Sequence, residues 1–176
     1  TKGRAMWKSL HGVVGIWVSV FLVLFLISGL SWAGIWGGKM VQAWSQFPAE
    51  KWDAVPLSDD IHASMNHHRR EVPWALEQTP MPASGSAAGE AGIEGAVTID
   101  SIDALAREIG FDARYQMNLP QGDTGVWTLS RDSMNTDSTD PMSDRTVHID
   151  QHSGNILADV RYADYSLAGK AMAVGI

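Results

Sequence analysis

The chain has 176 residues, with 13 Lys and Arg against 20 Asp and Glu, a formal net charge of −7 and no cysteine. Without thiols it can hold no disulfide, no thiolate metal site and no Cys nucleophile. Residues 40–166 carry eight basic and twenty acidic side chains, a balance of −12 that repels phosphate and argues against nucleic-acid binding.

The first element is a membrane span. Thirty consecutive residues between Lys8 and Lys39 carry no acid or base, and Ile16 to Ile27 is almost wholly apolar. A helix of about 20 apolar residues crosses a bilayer core of about 30 Å. Trp7 at one end, and Trp32 and Trp36 at the other, match the aromatic belts at the two interfaces. The run exceeds a signal-peptide core, and the residues after it include two tryptophans and no convincing small-x-small cleavage site, so it reads as an uncleaved anchor. Lys2, Arg4 and Lys8 precede it, and the positive-inside rule puts the N-terminus in the cytoplasm and the acidic body outside. Residues 1–38 are therefore expected to form a cytoplasmic tip and a transmembrane helix in contact with the lipid bilayer. Gly34 and Gly38 make a small-xxx-small pair that lets another transmembrane helix approach; the alternative is the ordinary abundance of glycine in such helices.

Residues 39–55 predict an amphipathic helix on the outer side, from the spacing of Met40, Val41, Trp44 and Phe47, with Pro48 ending or kinking it. Residues 56–95 predict a proline-rich loop and linker. Met81–Gly95 is rich in small residues and reads as flexible, whereas Trp74 lies between Pro73 and Pro80. Residues 96–166 predict a small α+β domain. Asp100 or Ser101 caps a helix whose apolar face is Ile102, Leu105, Ala106 and Ile109, and Gly110 stops it. Strands are expected over 113–119, 126–130, 145–150 and 156–160, with a polar loop over 132–144 and a hairpin turn at Gln151–Asn155. The sequence stops inside an apolar run, so residues 167–176 read as the start of a second span in a longer polytopic protein, the alternative being an ordinary apolar C-terminus docked on the domain.

These segments together resemble a known group. Ile102–Gly110, followed by Val147-His-Ile-Asp-Gln-His-Ser-Gly-Asn-Ile-Leu157, resembles the helix and closing hairpin of a PepSY domain. Trp7-Lys-Ser-Leu-His-Gly-Val-Val-Gly15 resembles the first helix of PepSY-associated transmembrane proteins, and 72–82 and 164–176 resemble further segments of that group. The fold class implied is an α+β membrane protein, one N-terminal transmembrane helix followed by a small PepSY-like helix and antiparallel sheet. The resemblance also implies a bacterial inner membrane, a periplasmic domain from about residue 39 onward, and later membrane helices. Some members of the group are haem-containing reductases of ferric siderophores, so iron or siderophore acquisition is the leading expectation. A non-catalytic accessory or interaction subunit of a larger membrane complex, or a regulator of a periplasmic peptidase, is the competing one.

His11 is the sharpest site candidate. It lies in the uncharged run, where ionisable groups are costly and functional by default. With the resemblance, it is a candidate axial ligand to haem iron, with Gly12 and Gly15 leaving room for a flat macrocycle and the second ligand coming from elsewhere. The alternative is a headgroup-level imidazole meeting water or phosphate. His62, His67 and His68, followed by Arg69 and Arg70, match no zinc spacing and read as a solvated surface, with a weak metal or anionic-ligand site as the alternative. His148 and His152 flank the hairpin turn, His148 as cross-strand packing or surface, and Asp150, Ser153 and Gly154 read as turn chemistry. Trp74 and Trp127 read as core residues, with Trp74 the alternative lining of a siderophore-binding surface. No nucleophile–base pair, phosphate loop or paired-carboxylate pattern stands out.

Overall fold

The structure, a computed structural model, describes residues 2–31, 55–66, 72–112 and 114–175. The chain divides into two compact units, Thr1–Val41 and Gln42–Ile176. The first unit contains a 30-residue helix, α1 (Lys2–Ser31). Its Gly3–Leu30 stretch is long and apolar enough to cross a membrane and buries none of its surface against protein. Ser19 and Ser28 return their hydroxyls to the carbonyls of Gly15 and Phe25, so neither presents an unpaired donor to lipid. The expected helix at 39–55, the Trp32 and Trp36 belt and the Gly34–Gly38 pair lie outside the described residues, as do His67, His68, Arg69 and Arg70.

The second unit contains a short hairpin, β1 (Leu57–Ile61) and β2 (Pro80–Pro82), then helix α2 (Ile99–Glu108). A four-stranded antiparallel sheet follows in the order β3 (Gln116–Asn118), β4 (Val126–Arg131), β5 (Arg145–Asp150), β6 (Ile156–Arg161). A final helix, α3, spans Leu167–Gly175. The helix-plus-antiparallel-sheet architecture agrees with the expected fold class.

Local chemistry sets the ends of α2. Its N-cap is Thr98, not Asp100 or Ser101: Thr98 is extended, its hydroxyl accepts the Ser101 N–H, and the Ser101 hydroxyl accepts the Thr98 N–H. At the other end Gly110 sits at φ +91°, while its N–H reaches Arg107 O and the Phe111 N–H reaches Ala106 O. That is a Schellman stop, which requires a left-handed residue at this position. Strand β3 is shorter than the expected 113–119. Phe111 turns into the core, and Tyr115 is held by a hydrogen bond to Asp103 on α2, so pairing starts only at Gln116.

One face of the sheet packs on α2 through Ile102, Leu105, Ala106, Phe111, Trp127, Leu129, Val147 and Ile149. Period-two alternation sends Val126, Thr128, Ser130, Thr146, His148 and Asp150 to the other face. In an isolated antiparallel sheet such a polar face would meet water. Here it is covered. Leu76 and Ala75 pack on Ala158, Val160 and Tyr165, and Met81 packs on Val126 and Leu157. The Ser84 hydroxyl donates to Gly125 O and accepts the Gln151 N–H, and the Gly85 N–H donates to the Asp150 carboxylate. Gly89 and Gly92 lie so close to the Ile156 and Gly154 carbonyls that a Cβ would collide at 2.5 and 2.6 Å. The Met81–Gly95 stretch is thus packed against the sheet. Its small residues allow close backbone approach where the sequence alone reads as a flexible linker.

Candidate functional site

Two groups of residues carry chemistry. The first is on α1. His11, Gly12, Gly15, Ile16, Ser19, Val20 and Val23 form one stripe along the helix, a shallow hollow open to the surroundings. Three- and four-residue spacing puts these positions on one face. Nothing lies within 4 Å of where a Cβ would stand at Gly12 or Gly15. The helix backbone therefore lies bare beside an exposed imidazole. One ligating nitrogen with an unobstructed helix surface beside it could hold a flat cofactor from one side. Among the described residues no group of three or more His, Cys, Asp or Glu is placed to hold a metal ion.

The second group is buried, and sequence reading missed it. His62 and His148, 86 positions apart, meet with Nε2 atoms 2.9 Å from each other, and both are fully buried. Their rings form an edge-on pair with centroids 4.9 Å apart. His62 is not on a solvated surface. It opens a 3-10 turn, His62–Met65, that continues β1, and its N–H bonds to Thr79 O fold this turn under the sheet. His148 is cross-strand packing as expected, opposite Thr128 on β4 and Ala158 on β6.

The proton positions follow from the partners. The Thr79 hydroxyl donates to Leu76 O at 2.6 Å, so toward His62 it can only accept. His62 Nδ1 lies 2.8 Å from Thr79 O and 3.0 Å from Thr79 Oγ1, both acceptors, and so carries the proton. In a neutral ring its Nε2 is then bare and accepts the His148 Nε2–H. That leaves His148 Nδ1 to accept from the Thr128 hydroxyl at 2.9 Å. Every ring nitrogen is satisfied with both imidazoles neutral. Burial lowers the His62 pKa to about 4 against the smaller opposing effect of the Thr79 backbone. It also holds His148 well below its usual range, helped by His62. The pair has no free lone pair to offer a metal.

The remaining expectations fall into place around the hairpin. Asp150 is turn chemistry: burial would raise its pKa, but the N–H groups of Ser153, Gly85 and His152 outweigh this and lower it. Gly154 at φ +74° closes the turn. His152 lies at the exposed side of the hairpin, with Nε2 3.1 Å from Asp123 O. Trp74 and Trp127 are both buried, as core residues should be.

A long apolar first helix, an α2-backed antiparallel sheet and the closing Val147–Leu157 hairpin now stand in one chain. The profile of the family described as PepSY-associated TM region matches residues 1–176. The chain belongs to this family. Comparison with curated proteins and with solved structures finds no match. Membership makes this a membrane protein with a PepSY domain. α1 supplies the candidate span, and the sheet with its cover forms the domain.

Proposed function

We propose that this PepSY-associated protein works in a haem-dependent membrane reductase that serves iron or siderophore acquisition. The observation that carries the reading is His11, an imidazole inside the run of α1 that follows Lys8 and holds no Lys, Arg, Asp or Glu, beside the open backbone of Gly12 and Gly15. His11 would hold one axial position of a haem, and Gly12 and Gly15 would admit the ring edge. Bound haem would supply one-electron transfer across the membrane. The second axial ligand would come from another membrane helix. The proposed setting is a bacterial inner membrane, with the N-terminus cytoplasmic and residues from about 39 onward periplasmic. Lys2, Arg4 and Lys8 ahead of the span support that orientation. A ferric siderophore is the proposed periplasmic substrate.

The test is a visible spectrum of the whole protein purified in detergent. The reading expects a Soret band that shifts on reduction and is lost or strongly weakened in His11→Ala, with the far-UV circular dichroism unchanged. A colourless protein that co-purifies with a membrane partner would instead make it an accessory subunit.

A further inference from the structure

The cover over the polar face of the sheet is held at its end by the Ser84 hydrogen bonds to Gly125 O and the Gln151 N–H. Residues 55–66 and 72–84 contribute apolar contacts at its edges, through Leu76 and Met81. At its centre the contact is the His62–His148 hydrogen bond, flanked by Thr79 on the cover and Thr128 on the sheet. We propose that residues 55–66 and 72–84 form an acid-released lid over this face of the PepSY sheet, with the His62–His148 pair as its catch.

The catch works in one protonation state. His62 Nδ1–H is already committed to Thr79 O, so any added proton on His62 goes to Nε2. It then faces the His148 Nε2–H at 2.9 Å, two donors without an acceptor. A proton added to His148 goes to Nδ1. Thr128 can rotate to accept it, but a charge then sits in a fully buried ring. Either step is unfavourable in the closed state and costs nothing comparable once the rings reach water.

The direction follows from the lowered pKa values. A histidine whose folded pKa lies below its ordinary 6.5 stabilises the closed form fully above that pH. That stability is lost as pH falls from 6.5 toward about 4 for His62. Over this window each ring shifts the opening equilibrium by up to about tenfold per pH unit. Among the described residues, the neighbouring titratable groups are engaged by other partners or exposed. Asp150, two residues along β5 on the same face, is bound by three backbone N–H groups. Arg145 is turned to Asp159 and Ile109 O. On the lid, Glu77 accepts from Asn66, and Asp59 and Asp60 on β1 are exposed. The α2 side of the sheet is apolar and senses none of this, so opening is local.

Hydrogen exchange read by mass spectrometry on the full chain in detergent, at about pH 7.5 and about pH 5 with intrinsic rates corrected, tests the lid. The expected result is a loss of protection in peptides from 57–65, 74–84 and β4–β5 at the lower pH, while α2 stays protected. His62→Gln, which removes one of the two titrating rings, should cut that pH dependence to about half on a logarithmic scale. Loss of protection in α2 together with the lid, or unchanged lid protection, would overturn the proposal. So would a folded His62→Gln protein with the wild-type pH response. If His62→Gln does not fold, the wild-type exchange pattern alone decides.

Discussion

Arg145 grips Asp159 with two parallel bonds, Nε to Oδ1 at 2.7 Å and Nη2 to Oδ2 at 2.8 Å, across the β5–β6 ladder. The same guanidinium donates through Nη1 to Ile109 O, the carbonyl at the C-terminal end of α2. It also lies over the Phe111 ring, 5.1 Å from its centroid. One side chain thus ties the helix end to two strands, and both members of the ion pair are largely out of water, at 10 % and 22 % side-chain exposure.

Arg145→Ala should therefore destabilise the PepSY domain by about 3 kcal/mol, since it strands a half-buried carboxylate and an uncapped helix carbonyl. Arg145→Lys should recover only part of this, because an ammonium cannot make the fork. Arg161 still reaches Asp159 at 2.8 Å and limits the loss. Denaturant unfolding of the full chain in micelles, followed by tryptophan fluorescence, measures both. Burial raises the Asp159 pKa, but Arg145 and Arg161 outweigh it and lower it overall. Wild-type stability from this pair is thus present above the ordinary carboxylate pKa and fades as pH falls through the lowered one. Arg145→Ala should flatten that acid limb.

The proton assignment of the histidine pair predicts an asymmetry between its two threonines. Thr128→Val removes the only donor assigned to His148 Nδ1 and leaves a buried acceptor bare, for about 1–3 kcal/mol. Thr79→Val leaves His62 Nδ1 its 2.8 Å bond to the Thr79 carbonyl, so its cost should stay near 1 kcal/mol, chiefly the lost bond to Leu76 O. Equal costs, measured by thermal unfolding at about pH 8, would mean that the rings carry the opposite tautomers.

The unequal legibility of the two lobes has a physical source. The span, α2 and the closing hairpin are written in local signals: an uncharged run, a 3.6-residue apolar period ended by Gly110, and alternation around Gly154. The lid is written in contacts of long separation. Nothing near His62 in sequence marks it as buried, since its partners Thr79 and His148 lie 17 and 86 positions away. Thr128, Ser130, Thr146, His148 and Asp150 look like a wet face, and only the packed small residues of 81–95 betray that something lies on it. A histidine at an inward register position between two β-branched neighbours, as in Thr146-Val147-His148-Ile149, was the available hint. His11, by contrast, was conspicuous at once, because a titratable group in an apolar run needs a reason.

Glycine positions separate backbone strain from crowding. Gly154 and Gly110 both have positive φ, +74° and +91°. A Cβ at Gly110 meets nothing within 4 Å, so Gly110→Ala should cost only the left-handed penalty of about 1–2 kcal/mol. A Cβ at Gly154 would stand 2.8 Å from Ile93 Cβ and 3.1 Å from Ile93 O. Gly154→Ala should thus cost about 2–4 kcal/mol and expose the 88–97 segment, which limited proteolysis would reveal as a new cleavage site. Gly154→Asn tolerates the dihedral but not the contact, and should recover only the left-handed part of the loss.

Asp144 should show the opposite pH behaviour to the histidine pair. It immediately precedes β5, accepts the Ser133 N–H at 2.8 Å, and lies with Asp132 and the buried Tyr165 hydroxyl around one small cavity under α3. Burial raises its pKa to about 6; Ser133 and Arg131 offset this only in part, and Asp140 adds to it. A carboxyl group whose folded pKa exceeds its unfolded value of 3.8 holds a proton that the unfolded chain releases, so it subtracts stability as pH rises from 3.8 to about 6. Asp144→Asn keeps an oxygen for the Ser133 N–H and removes the buried charge. It should be near neutral at about pH 4 and stabilising by about 1–3 kcal/mol at about pH 8. Unfolding midpoints of the two proteins across that range give the sign directly. A variant less stable than wild type at high pH would show that the ionised carboxylate, not the acid, is the form this cavity favours.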